Sequence, residues 1–218
     1  MARAGTASSC PSSRLVRVIL AIDTSAAVAV SVVDAGRALA SRSAFAPRGH
    51  AELLAGFVQE VLAEAGVSGS DVESIVVGTG PAPFTGLRVG LVTARTLGFA
   101  WGVPVRGACS LDAIGIVHGD AVVVADARRK EVYWARYAGG VRVDGPAVAA
   151  PGDVPASAAV VGRGALLFPE AFPGAIDADP DPAALVRVVE AALAAGETEF
   201  PTEPLYLRRP DVHGVPGA

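Results

Sequence analysis

The sequence predicts an α/β protein of two unequal lobes, on three observations. Short runs rich in Val and Ile alternate with two long helical stretches, in the order strand, strand, strand, helix, strand, helix, strand as far as residue 108. A shorter version of the same pattern follows Cys109. Hydrophobic residues make up 51% of 218 and charged ones only 18%, enough for a sizeable core and too apolar for general disorder. These place a Ser-rich, Pro11-containing disordered tail at 1–14, a first lobe at 15–108 and a smaller second lobe with a C-terminal extension at 109–218.

Val16 to Asp23 is an almost unbroken apolar run, as in a strand covered on both faces. Asp23-Thr24-Ser25 turns the chain into a second strand, Ala26 to Asp34, and Ala35-Gly36 into a third, Arg37 to Ala46, giving an antiparallel meander. His50 to Ala65 carries Leu53, Leu54, Phe57, Val58, Val61 and Leu62 at helical spacing and stops at Gly66. Val72 to Val77 is a fourth strand. The turn Gly78-Thr79-Gly80-Pro81-Ala82-Pro83 then leads into a helix over Thr85 to Trp101, and Val103 to Ala108 is a fifth strand. In the second lobe Ser110 caps a short helix to Val117, Ala121 to Ala127 pairs with Glu131 to Ala138, and Val141 to Val143 adds a short strand. Pro146 to Pro155 is assigned to loop, Ala159 to Val161 to a strand, and Pro182 to Ala195 to a helix ended by Gly196.

The formal net charge of −4 argues against a chain that grips nucleic acid unaided, because phosphate neutralisation by Lys and Arg supplies most of that affinity. The densest basic clusters are Arg128-Arg129-Lys130, which holds the one lysine, and Arg208-Arg209. Cys10 and Cys109 make neither a disulfide framework nor a metal spacing. The apolar stretch from Leu15 to Val33 contains Arg17 and Asp23, which are costly in lipid, so a cytoplasmic protein without membrane association is expected.

The helix over Thr85 to Trp101 carries two charges, Arg88 and Arg95, seven apart on one stripe. Gly86, Gly90, Ala94 and Gly98 recur every four residues and form a face open to close approach. Packing on the chain's own sheet and docking of a partner both fit that face. The shortage of other helices to cover the remaining apolar surface favours a partner, with Leu53, Phe57, Val61, Gly86, Gly90, Ala94, Leu97 and Gly98 as its contact residues. On that reading Gly90→Leu abolishes pairing and leaves the lobe folded. A phosphate loop is disfavoured, since the turn lacks Gly-Lys-Ser/Thr and Pro81 and Pro83 remove two amide donors.

Leu20-Ala-Ile-Asp-Thr-Ser25, Gly80-Pro-Ala-Pro-Phe-Thr-Gly-Leu-Arg-Val-Gly90, Asp126-Ala-Arg128 with Glu131-Val-Tyr133, and Pro204-Leu-Tyr-Leu-Arg208 together resemble the TsaB family. The resemblance runs from Val18 to Arg208, and its specific part is the glycine turn, where Ala82-Pro83 departs from a more usual Gly-Ser pair. It implies an actin-like, sugar-kinase-like (ribonuclease H-like) fold, and a role in making threonylcarbamoyladenosine beside the tRNA anticodon. It also implies a non-catalytic subunit that pairs with the catalytic TsaD, joined by the ATPase TsaE, and meets tRNA only through that complex. ATP and a metal are then expected in TsaD and no cofactor in this chain; a homodimer through the same helices is the other pairing.

Three alternatives can be weighed on the residues. TsaD-type metal ligation uses two histidines four apart; the resemblance puts Ser110 and Ile114 in those places, and His50, His118 and His213 stand far apart, so no metal site is expected. A free-standing actin-like ATPase or kinase would use acidic hairpins at Asp23-Thr24-Ser25 and Asp126-Ala127-Arg128, here assigned as vestigial nucleotide-binding positions. A serine hydrolase would need a Gly-x-Ser-x-Gly elbow, which the chain lacks.

Overall fold

A computed structural model describes residues 17–45, 49–155 and 159–208. β1 (Val18–Asp23), β2 (Val28–Asp34) and β3 (Arg37–Ala44) form the expected antiparallel meander; α1 (His50–Ala65), β4 (Val72–Gly78), α2 (Phe84–Trp101) and β5 (Val105–Ala108) follow. β4 lies parallel to both β1 and β5, giving the order β3-β2-β1-β4-β5. Parallel neighbours need a crossover, and α2 supplies it between β4 and β5.

Strand alternation sends one set of side chains to each face of this sheet. The rung Val32–Leu20–Ile75 crosses three strands and packs under α1 and α2 with Leu54, Val58, Val61, Leu87 and Leu91. Each fully buried Leu or Ile there contributes about 1.5–3 kcal/mol. The opposite set, Ala21, Val33 and Val76, meets α3 (Ser110–His118) and α4 (Pro182–Ala194). Helix α4 follows the second sheet in sequence but lies against the first. Its start is fixed by Pro182 in the first turn and by the Asp181 carboxylate, which accepts from the Ala183 amide at 2.9 Å.

The second sheet has the order β8-β7-β6-β9, from β6 (Ala121–Asp126), β7 (Val132–Ala138), β8 (Val141–Ala149) and β9 (Ala159–Val161), with only β6 and β9 parallel. Here the structure corrects the sequence reading. Pro146, assigned to loop, lies within β8, which runs nine residues rather than three. β8 is an edge strand, where a missing amide costs no ladder bond, and register shifts opposite Arg136 accommodate the irregularity. The tail at 1–14, the end of the third strand at Ala46, and His213 fall outside the described residues.

Residues 200–208 form a strap that the sequence reading leaves without a role. The Gly107 amide donates to the Phe200 carbonyl at 3.1 Å and the Leu205 amide to the Thr79 carbonyl at 2.8 Å. Leu205 and Leu207 join the second lobe's core, while Arg95 donates to Thr202 Oγ1 and O at 2.9 and 2.6 Å. Arg88 donates to the Tyr206 hydroxyl at 2.7 Å, and Tyr206 stacks on Phe84 with ring centres 4.9 Å apart. The Arg88–Arg95 stripe of α2 is therefore covered by the chain itself.

The small-residue face of α2 also points inward, and in this chain it packs on the chain's own residues. A Cβ on Gly90 would strike the Thr24 side chain, one on Gly98 would strike Val105, and one on Gly86 would sit 3.2 Å from the Thr24 carbonyl. Gly90, Ala94 and Gly98 are buried, as is Val61 on α1, and Leu53, Phe57 and Leu97 pack half-buried against the same core. Gly90→Leu is expected to unfold the first lobe rather than spare it, lowering stability by at least about 3 kcal/mol in a urea titration.

Candidate functional site

The end of β1 is where both lobes converge. Asp23 is 1% exposed, and its Oδ1 accepts from the Ser25 amide at 2.7 Å and the Ser25 hydroxyl at 2.6 Å. Its Oδ2 accepts from the Ser110 hydroxyl on α3 at 2.6 Å, and Ser110 Oγ in turn accepts from the Gly80 amide at 3.2 Å. A Cβ on Gly78 would occupy the place of that carboxylate, so β4 ends on a glycine for a steric reason. Burial raises the Asp23 pKa above its ordinary 3.8, against the opposing pull of the Ser110 and Ser25 hydrogen bonds. Ser110 is the first residue of α3 and not its side-chain cap; its hydroxyl serves Asp23 instead.

Thr24 repeats the theme on the other side. Its hydroxyl donates to the Gly86 carbonyl at 2.9 Å and accepts from the Gly90 amide at 3.2 Å, tying β1 to α2. The glycine turn spends its own donors internally too: the Thr79 amide donates to the Ala108 carbonyl at 2.8 Å and Gly80 to Ser110. With Pro81 and Pro83 lacking amides, the turn is wired into the structure and is no phosphate cradle.

Ser25 and Asp126, by contrast, line an interlobe cavity of about 270 Å³ together with Phe45, Pro81, Leu111, Ile114 and Arg128. Its floor is mostly apolar, and Ile114, where TsaD-type ligation would want a histidine, is part of it. At the mouth Arg163 clasps Asp179 in a fork, Nε to Oδ1 at 3.0 Å and Nη2 to Oδ2 at 2.7 Å, and lies 4.2 Å over the Phe45 ring. Of the four proposed nucleotide-binding positions, then, Asp23 and Thr24 are consumed by structural bonds, while Ser25 and Asp126 share the cavity. Among the described residues no group of three His, Cys, Asp or Glu side chains is placed to hold a metal ion. Cys109 is buried, its thiol pushed up to about 12 first by desolvation and then by Asp112. That makes it a packing residue rather than a nucleophile.

Large apolar side chains are also exposed on α2. Phe99 is 92% exposed and Val92, seven residues earlier, 61%; they share a stripe away from the core, next to the one that carries Arg88 and Arg95. The sequence reading missed this pair because its attention went to the small residues.

A family model described as "TsaD: tRNA N6-adenosine threonylcarbamoyltransferase" matches residues 44–165, more than half of the chain. The solved structure of YeaZ from Pseudomonas aeruginosa superposes with a TM-score of 0.74 and 30% identity, covering 88% of this chain and 100% of that one. The TsaB protein of Escherichia coli K12, named for tRNA threonylcarbamoyladenosine biosynthesis, is 35% identical over 126 residues, which is 55% of this chain and 54% of that protein. The chain belongs to the TsaB family. An uncharacterized protein of Mycobacterium tuberculosis (strain H37Rv) is 46% identical over 204 residues, 94% of its length, so the likeness extends through the second lobe. No helix among the described residues is long and apolar enough to cross a membrane. In this TsaB-family chain Asp23 and Thr24 thus act as an internal staple.

The raised Asp23 pKa fixes a pH dependence. A carboxyl whose folded pKa lies above its unfolded value contributes most below the unfolded value, and that contribution is lost as pH rises through the folded one. Asp23→Asn, which cannot ionise, should therefore gain stability relative to the wild type as pH is raised from 4 to 8. Paired urea titrations at the two pH values measure this, and a relative loss with rising pH would contradict the assignment.

Proposed function

We propose that this chain is an accessory subunit in the biosynthesis of threonylcarbamoyladenosine in tRNA, acting by binding and activating the catalytic TsaD and inactive alone. The observation that carries the non-catalytic part is the Asp23–Ser110 bond. A carboxylate at the phosphate-facing hairpin of an actin-like kinase has to reach ligand; here it is buried, and both oxygens are taken by hydroxyl and amide donors. Ser110 and Ile114 offer no ring nitrogen where TsaD-type ligation needs two. Family membership supports the tRNA-modification role. TsaE as a third component, and ATP and a metal housed in TsaD, belong to the same reading.

The partner surface is moved from the buried glycines to the exposed stripe of α2, Val92 and Phe99. A side chain as large and exposed as Phe99 suits the centre of an interface, where aromatic anchors carry much of the binding energy. A homodimer through the same stripe is the competing pairing.

Mixing the purified chain with TsaD of the same organism, with TsaE, ATP, magnesium, tRNA and an activated threonylcarbamoyl donor, should give modified tRNA only when this chain is present. Turnover of ATP by the chain alone with micromolar affinity in a calorimeter would favour the kinase alternative and defeat this one. Phe99→Asp is expected to weaken co-elution with TsaD on gel filtration about 30-fold or more, the loss of a hot spot of at least about 2 kcal/mol, with the melting temperature unchanged.

A further inference from the structure

Phe84, Arg88, Val92, Arg95 and Phe99 follow one another along α2 in steps of four, four, three and four, so all five stand on one face of the helix. The strap touches this face at its arginines, yet all five residues stay exposed. The face alternates apolar side chains with cations, and α2 has no Asp or Glu anywhere along its length.

The two arginines differ. Arg95 is tied to Thr202 and has the Glu203 carboxylate at 3.5 Å. Among the described residues Arg88 pairs with no carboxylate; its contacts are aromatic. Its guanidinium carbon lies 3.6 Å from the centre of the Phe84 ring, and its Nε donates to the Tyr206 hydroxyl at 2.7 Å. Tyr206 stacks on Phe84 in turn, the ring planes 23° apart. An exposed ion pair contributes little in general because a long side chain must give up its rotamer freedom to form it. Arg88 is already ordered by a ring and a hydroxyl, so most of that loss precedes any partner. The N–H donors on Nη1 and Nη2 have no acceptor among the described residues.

A planar guanidinium fork matches a carboxylate or a phosphate. The flanking residues choose between them. Val92 and Phe99 offer large apolar side chains beside the cation, which suits a protein surface with apolar side chains of its own and not a sugar–phosphate backbone. A second copy of this chain is the poorer match. A two-fold pairing through this face would bring the cations of both α2 helices together where neither helix has an acid.

We propose that Arg88 is the specificity-determining residue of the α2 face, pairing through Nη1 and Nη2 with an Asp or Glu side chain of the partner protein; this rests on the reading of that face as the TsaD contact. Phe84 and Tyr206 hold the guanidinium in place, and the strap thereby serves the interface without lying at its centre.

Calorimetry of the full chain with TsaD of the same organism, at about 0.15 M salt, tests this. Arg88→Gln should weaken the complex about tenfold and Arg88→Glu about a hundredfold. Melting temperatures of the isolated variants should stay within about 2 °C of wild type. Arg88→Lys keeps the charge but not the fork, and should fall between wild type and Arg88→Gln. The deciding arm changes the partner. Against Arg88→Glu, Lys substituted in turn for each exposed Asp and Glu of TsaD should restore binding at one position, which no folding defect in this chain would allow. Restoration at none overturns the proposal, as does wild-type affinity in Arg88→Gln. Weaker self-association of Arg88→Gln in sedimentation equilibrium, with TsaD binding unchanged, would make the residue a contact between copies. Weaker tRNA binding by an intact Arg88→Gln complex would make it a phosphate contact. Both results overturn the proposal and leave the accessory-subunit reading in place. A wild-type chain that does not bind TsaD defeats that reading, and this proposal with it.

Discussion

The hydrogen bond from the Ser110 hydroxyl to the Asp23 carboxylate joins the last residue of β1 to the first residue of α3 at the junction of the lobes. Burying a carboxylate is costly unless its oxygens are satisfied, and satisfying this one sets terms for everything around it. Residue 78 has to be glycine to make room. Gly80 has to bring its amide to Ser110, which fixes the turn before α2. Thr24, next in the chain, then reaches α2, and that contact requires glycine at 90 and closely limits residue 86. Asp23 and Thr24 are thus the knot that ties β1 to α2 and α3.

The same knot explains why α2 is so poor in side chains. A helix seated on backbone at Thr24 and on Val103 to Val105 needs small residues on that side, and the strap covers the Arg88–Arg95 side. The most exposed large side chains of the helix are Val92 and Phe99. The exposed stripe thus lies nearly opposite the small-residue face.

Much of the fold was legible in the residues. Gly66, left-handed after α1, and the unbroken apolar run of β1 mark their elements plainly, and so does the Asp181-Pro182 start of α4. The extension of β8 through Pro146 was not, because whether a proline breaks a strand depends on whether that strand lies at an edge, which is a tertiary fact. Nor was the destination of α4, since nothing local says that a helix following the second sheet will cover the first. For the site, spacing showed that Gly86, Gly90, Ala94 and Gly98 share a face. It could not say what fills that face, nor that Val92 and Phe99 stay exposed, since both depend on what packs against the helix. Ser110 looked like a cap because serine before an apolar helix usually is one; its partner is 87 residues away.

The placement of α4 has a bearing on how the chain is made. Ile19, Ala21, Val33 and Val76 form an apolar surface that α3 covers only in part until residues 182–194 have been synthesised. The first five strands can pair early, yet they wait with one face partly uncovered while the whole second sheet is translated. During that interval the nascent chain presents the kind of surface that chaperones bind and that aggregates grow from. A polypeptide cut short before Pro182 would carry that exposed face permanently, so the two lobes are not separable units of folding even though each has its own sheet.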